Sequence, residues 1–302
     1  VPQIRNGSLS LATCTAGATA RLPPFRVLGV RIDAVQIPDV ISRMQEWIEA
    51  RGATRFIAVT GMHGVTEAHR DAYVGSVLSA ADLVVPDGMP LVWLARRQGR
   101  PLRRRVYGPE LMTAFCEQTS SRRYRHFFYG GAPGVAERLA ATFAQRFGVL
   151  AVGSFTPPFR PLTASEDEEI VGRINASGAD IVWVGLSTPK QERWMFEHKS
   201  KLNAPVLVGV GAAFDFHTGR VAQAPQWMRE NGLEWFFRLT QDPLRLWRRY
   251  LLGGARFTAL VALEMLGLKT FREAAPAPSE AAHEHLRLER SQVAEGAGDK
   301  VE

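Results

Sequence analysis

The sequence predicts an α/β fold: a mainly parallel sheet with helices on both faces, followed by a helical C-terminal appendage. Two patterns within its 302 residues carry that expectation. Short continuous apolar runs (Phe56-Ile57-Ala58-Val59, Leu83-Val84-Val85, Val182-Trp183-Val184, Val206-Leu207-Val208-Gly209-Val210) each halt at Thr, Pro or Gly, as strands buried on both faces do. Segments whose apolar residues recur at helical spacing lie between them, so strand and helix alternate as a covered parallel sheet requires.

Residues 1–24 are rich in small and polar residues without a period and read as a disordered N-terminal tail. Residues 25–35 alternate through Val27, Val30, Ile32 and Val35, enough for one or two short strands. Pro38 then sits at a helix start, with Val40, Ile41, Met44, Trp47 and Ile48 along one face. The run from Phe56 ends in Thr60-Gly61-Met62-His63-Gly64, read as a flexible turn, and helical segments follow to Ala80. Residues 82–85 form a strand stopped by Pro86-Asp87-Gly88, which puts Asp87 at its carboxyl end beside a glycine that permits close backbone approach. A helix over 90–98 leads into a loop carrying Arg96, Arg97, Arg100, Arg103, Arg104 and Arg105, and a helix over 110–119 follows Tyr107-Gly108-Pro109.

The strand 125–129 feeds Gly130-Gly131-Ala132-Pro133-Gly134 and a helix with Val135, Leu139, Phe143 and Phe147 inward. Such a turn offers backbone N–H groups to a phosphate or ribose; a tight strand-to-helix turn is the plainer reading of the same glycines. After a strand over 150–155 and a helix over 165–177 comes the central unit. It comprises a strand over 180–184, Gly185, a helix opened by Thr188 and Pro189, and a strand over 206–210. Gln191, Glu192 and Asp215 gather at its carboxyl edge, where open α/β sheets bind ligands.

Beyond Asp215 the composition changes. Helices are expected over 225–231, 233–240, 243–252 and 255–270, dense in Arg and aromatic residues. The expected organisation is a catalytic core over 25–218, an appendage over 219–272 and a disordered tail over 273–302. The apolar stretch 257–268 is too short to span a bilayer, so it lies in a membrane interface or caps the core.

A formal charge of +7 points to anionic partners: nucleic acid, a phosphorylated substrate or an acidic membrane surface. The aromatics sit at helical spacing and no nucleic-acid motif is present, which argues against nucleic acid. Two cysteines, Cys14 and Cys116, exclude a disulfide framework and a cysteine-rich metal site. With no long apolar run and no basic-then-apolar leader, the expected location is the cytoplasm.

Several motifs in fixed order resemble one family. They are Pro86-Asp87-Gly88, Tyr107-Gly108-Pro109-Glu110-Leu111, Phe128-Tyr129-Gly130-Gly131, Gly185-Leu186-Ser187-Thr188-Pro189-Lys190-Gln191-Glu192 and Gly209-Val210-Gly211-Ala212-Ala213-Phe214-Asp215-Phe216. Ala224-Pro225-Gln226-Trp227, Gly232-Leu233-Glu234-Trp235-Phe236-Phe237-Arg238 and Asp242-Pro243-Leu244-Arg245-Leu246-Trp247-Arg248-Arg249-Tyr250 follow. Over roughly residues 26–255 the chain is similar to the WecG/TagA/CpsF glycosyltransferases, glycosyltransferase family 26. That resemblance implies a Rossmann-like core and an inverting enzyme, peripherally associated with the inner face of the cell membrane. It would move a sugar from a UDP-sugar to a polyprenyl-diphosphate-linked saccharide in bacterial surface or exopolysaccharide biosynthesis, without a metal or other cofactor. In one departure, Met62 stands where the family commonly has Asn after Thr60; His63 is a candidate to compensate.

Inverting transfer needs a carboxylate to take the acceptor proton and positive charge for the departing diphosphate. Under the resemblance Asp87 is the base, with a helix cap or turn contact as its plainer alternative; Asp215, read as ending an adjacent strand, is runner-up, with a structural role as its alternative. Gln191 is expected to hydrogen-bond substrate, and Glu192 either does so or complements the helix dipole. Thr60 resembles the family's site threonine, and Gly130, Gly131 and Gly185 complete the expected substrate-binding set. No Asp-X-Asp triplet occurs, so diphosphate charge falls to two or more of Arg238, Arg245, Arg248 and Arg249. The expected partners are a UDP-sugar donor, a polyprenyl-diphosphate-linked acceptor and an anionic membrane surface, with a homo-oligomer left open. A nicotinamide-dependent Rossmann-type oxidoreductase is the alternative, against which stands the lack of spaced glycines in the first βα turn.

Overall fold

A computed structural model describes residues 22–274; of the tails expected over 1–24 and 273–302, residues 1–21 and 275–302 lie outside the described residues. Strands β1 (Phe25–Val27) and β2 (Val30–Ile32) pair as an antiparallel hairpin. Six strands, β3 (Arg55–Thr60), β4 (Leu83–Pro86), β5 (Arg125–Gly130), β6 (Leu150–Phe155), β7 (Ile181–Gly185) and β8 (Val206–Gly209), form one sheet in the order β4-β3-β8-β7-β5-β6. Every pairing in it is parallel.

Continuous apolar strands arise because both faces are covered. Along β3, Phe56 and Ala58 belong to one core layer while Ile57 and Val59 belong to the other. The second layer is closed by α1 (Ile37–Ala50), α5 (Gly108–Gln118) and α6 (Val135–Phe147), through Met44, Phe115 and Leu139. The first is closed by α2 (Met62–Arg70), α3 (Ala72–Ser79), α4 (Met89–Arg97), α7 (Ala164–Ser177) and α8 (Lys190–His198). Local capping fixes several entries. Asp71 accepts from the amides of Tyr73 and Val74 to start α3, and Thr163 exchanges hydrogen bonds with Glu166 to start α7.

The chain closes with α9 (Ala213–His217), α10 (Gln226–Glu230), α11 (Glu234–Gln241), α12 (Pro243–Trp247), a π-helical turn at Arg248–Leu252, and α13 (Gly253–Met265). The last three run on without a break over 243–265. Phe257 and Val261 of α13 are buried in the layer that holds Val65 and Ala68, and the Glu264 carboxylate accepts the Leu28 amide at 3.2 Å. This helix therefore caps the core with one face, while Leu263, Met265, Leu266 and Leu268 stay exposed. No helix among the described residues is long and apolar enough to cross a membrane.

Three local expectations are corrected. The stretch after Thr60 is no flexible turn, because Gly61 caps α2 and Met62 already lies within it. Asp215 does not end a strand: β8 stops at Gly209, and Asp215 lies in the first turn of the short helix α9. The expected helix over 243–252 changes from α to π hydrogen bonding at Arg248.

Candidate active site

A cleft of about 1150 Å³ opens at the carboxyl ends of β3, β4, β7 and β8. Residues 61–64, 87–90, 185–188 and 210–213 form its floor, and α11 and the π turn contribute the opposite wall. Its size suffices for a nucleotide-sized ligand with a second substrate alongside.

Asp87 follows β4 directly. Its side chain is 31% exposed, yet Oδ1 is enclosed and has no hydrogen-bond donor. Burial, opposed by Arg105 and reinforced by Glu234, pushes its pKa from 3.8 up to about 6. Arg105 reaches Asp87 Oδ1 at 3.7 Å through Nη1, while its Nη2 makes a close ion pair with Glu234 Oε2. The guanidinium lies 4.0 Å over the Tyr107 ring, and the Tyr107 hydroxyl donates to Glu234 Oε1 at 2.9 Å. Burial alone would weaken Arg105's hold on its proton, but the two carboxylates more than offset it and the net shift is upward.

Eight arginines line the cleft. Four are paired there with acids: Arg70 with Glu67, Arg105 with Glu234 and Asp87, Arg220 with Asp215, and Arg245 with Asp242. Among the described residues Arg238, Arg248, Arg249 and Arg256 have no carboxylate within ion-pair distance. Arg249 is the electrostatic hub, acting on Asp87, Glu192 and His63 alike. Enclosure by protein, followed by the like charges of Arg238 and Arg245, holds its pKa below the ordinary arginine value against the opposing pull of Tyr250 and Asp87. Such crowding of cations without partners persists where an anion is to be bound.

Gln191 and Glu192 are both buried. Gln191 Oε1 accepts the Gly211 amide at 2.9 Å, and its Nε2 donates to Glu192 Oε1 at 3.1 Å. Glu192 Oε1 also accepts from the Thr188 hydroxyl, which leaves Oε2 enclosed and without a donor. Desolvation raises its pKa, opposed by its own backbone, by Thr188 and Gln191, and by Arg249. Gln191 thus ties α8 to the loop after β8, Glu192 holds the turn at Thr188 that leads into α8, and Gln191 alone of the two also borders the cleft. The Thr60 hydroxyl is buried without a partner among the described residues, and Thr60 lies outside the cleft lining. Met62 and His63 line the cleft, and burial followed by Arg249 lowers the His63 pKa to about 4, so neutral imidazole faces the site.

Not every expected residue converges here. Gly130 and Gly131 lie outside the cleft lining: Gly131 donates to the Gly185 carbonyl at 3.0 Å, and a Cβ on Gly130 would fall 2.7 Å from Gly185. Gly185 borders the cleft but packs against the Phe214 ring. Of the basic loop, Arg96 and Arg100 hold backbone carbonyls, and Arg104 pairs with Glu230 at 3.1 Å. Sequence reasoning missed Arg105, Tyr107, Glu234 and Arg256 as cleft residues. The Arg105–Glu234 pair joins positions 129 apart, and the sole local hint was a basic loop ending at a tyrosine. Among the described residues no three His, Cys, Asp or Glu side chains come together in a way that would hold a metal ion.

Residues 25–270 match the Glycosyl transferase WecG/TagA/CpsF family. Three relatives are named N-acetylglucosaminyldiphosphoundecaprenol N-acetyl-beta-D-mannosaminyltransferase. That of Bacillus spizizenii is 30% identical over 203 residues, 67% of this chain and 77% of the relative. Those of Bacillus subtilis and Staphylococcus aureus are 27% and 26% identical, over 65% and 74% of this chain and 74% and 86% of theirs. With the family match spanning nearly all of the described residues, the chain belongs to the WecG/TagA/CpsF family and is a glycosyltransferase.

Proposed function

We propose that this enzyme transfers a sugar from a UDP-sugar to a saccharide linked to a polyprenyl diphosphate, with inversion at the anomeric carbon. The observation that carries the reading is the meeting, in one cleft, of Asp87 with four arginines that have no carboxylate partner among the described residues. An acceptor hydroxyl attacks the anomeric carbon as the bond from that carbon to the donor diphosphate breaks. Asp87 takes the hydroxyl proton, and its upward-shifted pKa makes it a stronger base than a free aspartate. The leaving UDP gains negative charge, which Arg238, Arg248 and Arg249 stabilise by charge-assisted hydrogen bonds.

The names of the relatives suggest the substrate pair to try first: an N-acetylmannosamine donor and an N-acetylglucosaminyl-diphosphate lipid acceptor. Residues 219–272 act as an appendage that completes the cleft and rests on an anionic membrane surface. Support comes from exposed Trp227, Phe236, Leu244, Leu251 and Leu252 alongside arginines without a carboxylate partner among the described residues. Membership of a glycosyltransferase family removes the support for the oxidoreductase alternative. The test is a panel of UDP-sugars offered with a short-chain polyprenyl-diphosphate acceptor and read by mass spectrometry. A glycosylated acceptor with stoichiometric UDP is expected, and no transfer from any UDP-sugar would overturn the reading.

A further inference from the structure

We propose that Glu234, from the appendage helix α11, is a positioning residue that draws Arg105 away from Asp87 and so keeps Asp87 free to accept a proton. The inference rests on Asp87 being the base of the reaction proposed above.

Arg105 stands between two carboxylates and serves them unequally. It makes a close ion pair with Glu234, yet stays 3.7 Å from Asp87, too far for a hydrogen bond. Both Glu234 oxygens are engaged, one by Arg105 and the other by the Tyr107 hydroxyl, and the residue is 8% exposed. The Tyr107 ring beneath the guanidinium and the Gln223 amide donating to the Tyr107 hydroxyl at 3.2 Å complete the clamp. The Val106 amide donates to the Pro86 carbonyl at 2.8 Å, so the Arg105 backbone is anchored beside the end of β4 and the side chain alone has freedom to turn.

The other charges facing this group are Arg238 of α11 and Arg249 of the π turn, which act on Asp87, and Arg229, which lies 5.8 Å over the Tyr107 ring while paired with Glu110. Without the Glu234 charge, Arg105 has Asp87 as its one remaining carboxylate within ion-pair distance among the described residues. A guanidinium that turns onto Asp87 makes a charge-assisted hydrogen bond to the oxygen that must take the proton, and a carboxylate so held is a poorer base. Readiness of the base thereby depends on α11 being docked.

The experiment compares wild type with Glu234→Gln, Glu234→Asp and Arg105→Gln across pH, using a soluble short-chain acceptor. Glu234→Gln should move the acidic limb of kcat/KM down by about one pH unit and lower kcat on the order of tenfold. Glu234→Asp, which keeps the charge, should return the limb toward its wild-type position, and Arg105→Gln should move it up. A limb that stays at the wild-type pH in Glu234→Gln overturns the proposal, whatever happens to the rate. If that variant does not fold, an unmoved or lowered limb in Arg105→Gln does the same. A readout free of substrate accompanies these. The stabilisation gained from Asp87→Asn as pH rises from 4 to 6 should shrink in the Glu234→Gln background, and an undiminished gain counts against the proposal. Wild-type protein that transfers no sugar defeats the functional reading, while the unfolding comparison still decides the role of Glu234.

Discussion

The Asp87 amide donates to the Thr60 carbonyl at 2.8 Å, one step past the Thr60–Pro86 pairing that ends β3 and β4. The ladder of the sheet therefore extends into the cleft and fixes the backbone of the residue proposed as base. The neighbouring strand end has to make room: a Cβ on Gly61 would fall 2.5 Å from the Asp87 carbonyl oxygen. The φ of Gly61 is −109°, so space rather than backbone strain constrains this position. Gly61→Ala should displace Asp87 and lower kcat more than it raises KM, which steady-state kinetics would separate.

Asp87→Asn retains shape and loses basicity. Turnover should fall about 10²- to 10⁴-fold while donor affinity, measured calorimetrically with UDP, stays within about threefold. In wild type the base works when ionised, so kcat/KM should rise with pH through about 6. Turnover near wild type in the variant, or a flat profile between pH 5 and 7, would remove Asp87 from this role.

The same shift bears on stability, in the opposite sense to an ion-paired carboxylate. The folded pKa of Asp87, about 6, lies above its ordinary 3.8, so the fold disfavours the charged form and stability drops as pH rises between those values. Asp87→Asn should therefore unfold at a higher temperature than wild type at pH 7.5, by about 1–3 kcal/mol of stability, and show no advantage below pH 4. Calorimetry at the two pH values checks the sign.

In the proposed reaction Arg249 and Arg238 face the donor diphosphate, whose negative charge grows as its bond to the anomeric carbon breaks. Arg249→Ala should lower kcat about 10²-fold, weaken inhibition by UDP, and raise the pKa of His63, which Arg249 now depresses. Arg245→Ala, by contrast, breaks an exposed pair with Asp242 and should change kcat by less than about threefold. Equal losses in the two variants would mean that freedom from an acid partner is not what selects the diphosphate contacts.

The sheet was legible in the sequence because burial on both faces turns each strand into an uninterrupted apolar run. The place of Asp87 at a strand end was legible too, since the apolar run stops at Pro86-Asp87-Gly88, although β4 itself takes in Pro86. What local patterning could not reveal were partners distant along the chain. Glu234 reads as an ordinary acid in the first turn of a helix until Arg105 and Tyr107 are brought against it. Gln191 reads as a polar group aimed at ligand, whereas the Gly211 amide occupies its oxygen. Gly130-Gly131 suggested a phosphate cradle because glycine signals close approach without naming what approaches. Here it is the Gly185 backbone, and Gly130 adds a φ of 122° that side chains rarely adopt. Gly130→Ala should accordingly cost about 2 kcal/mol or more in urea unfolding, before any effect on substrate.

The membrane contact proposed for the appendage can be tested apart from chemistry by changing a side chain that touches neither the core nor the cleft. Leu244, in the first turn of α12, is 90% exposed and absent from the cleft lining, although Arg245 and Leu246 beside it belong to that lining. An apolar side chain held this far into solvent gains free energy by entering a headgroup layer, and nearby cations add about 1 kcal/mol each on an anionic surface. Leu244→Glu replaces the first contribution with a charge that the same surface repels. Cosedimentation with vesicles containing anionic lipid should fall at least tenfold for this variant, while kcat on a water-soluble acceptor analogue remains within about twofold of wild type. Turnover on a full-length polyprenyl acceptor embedded in those vesicles should drop in step with binding. Unchanged cosedimentation would mean that α12 does not face the bilayer, and a matching loss on the soluble acceptor would assign Leu244 to the fold or the cleft instead.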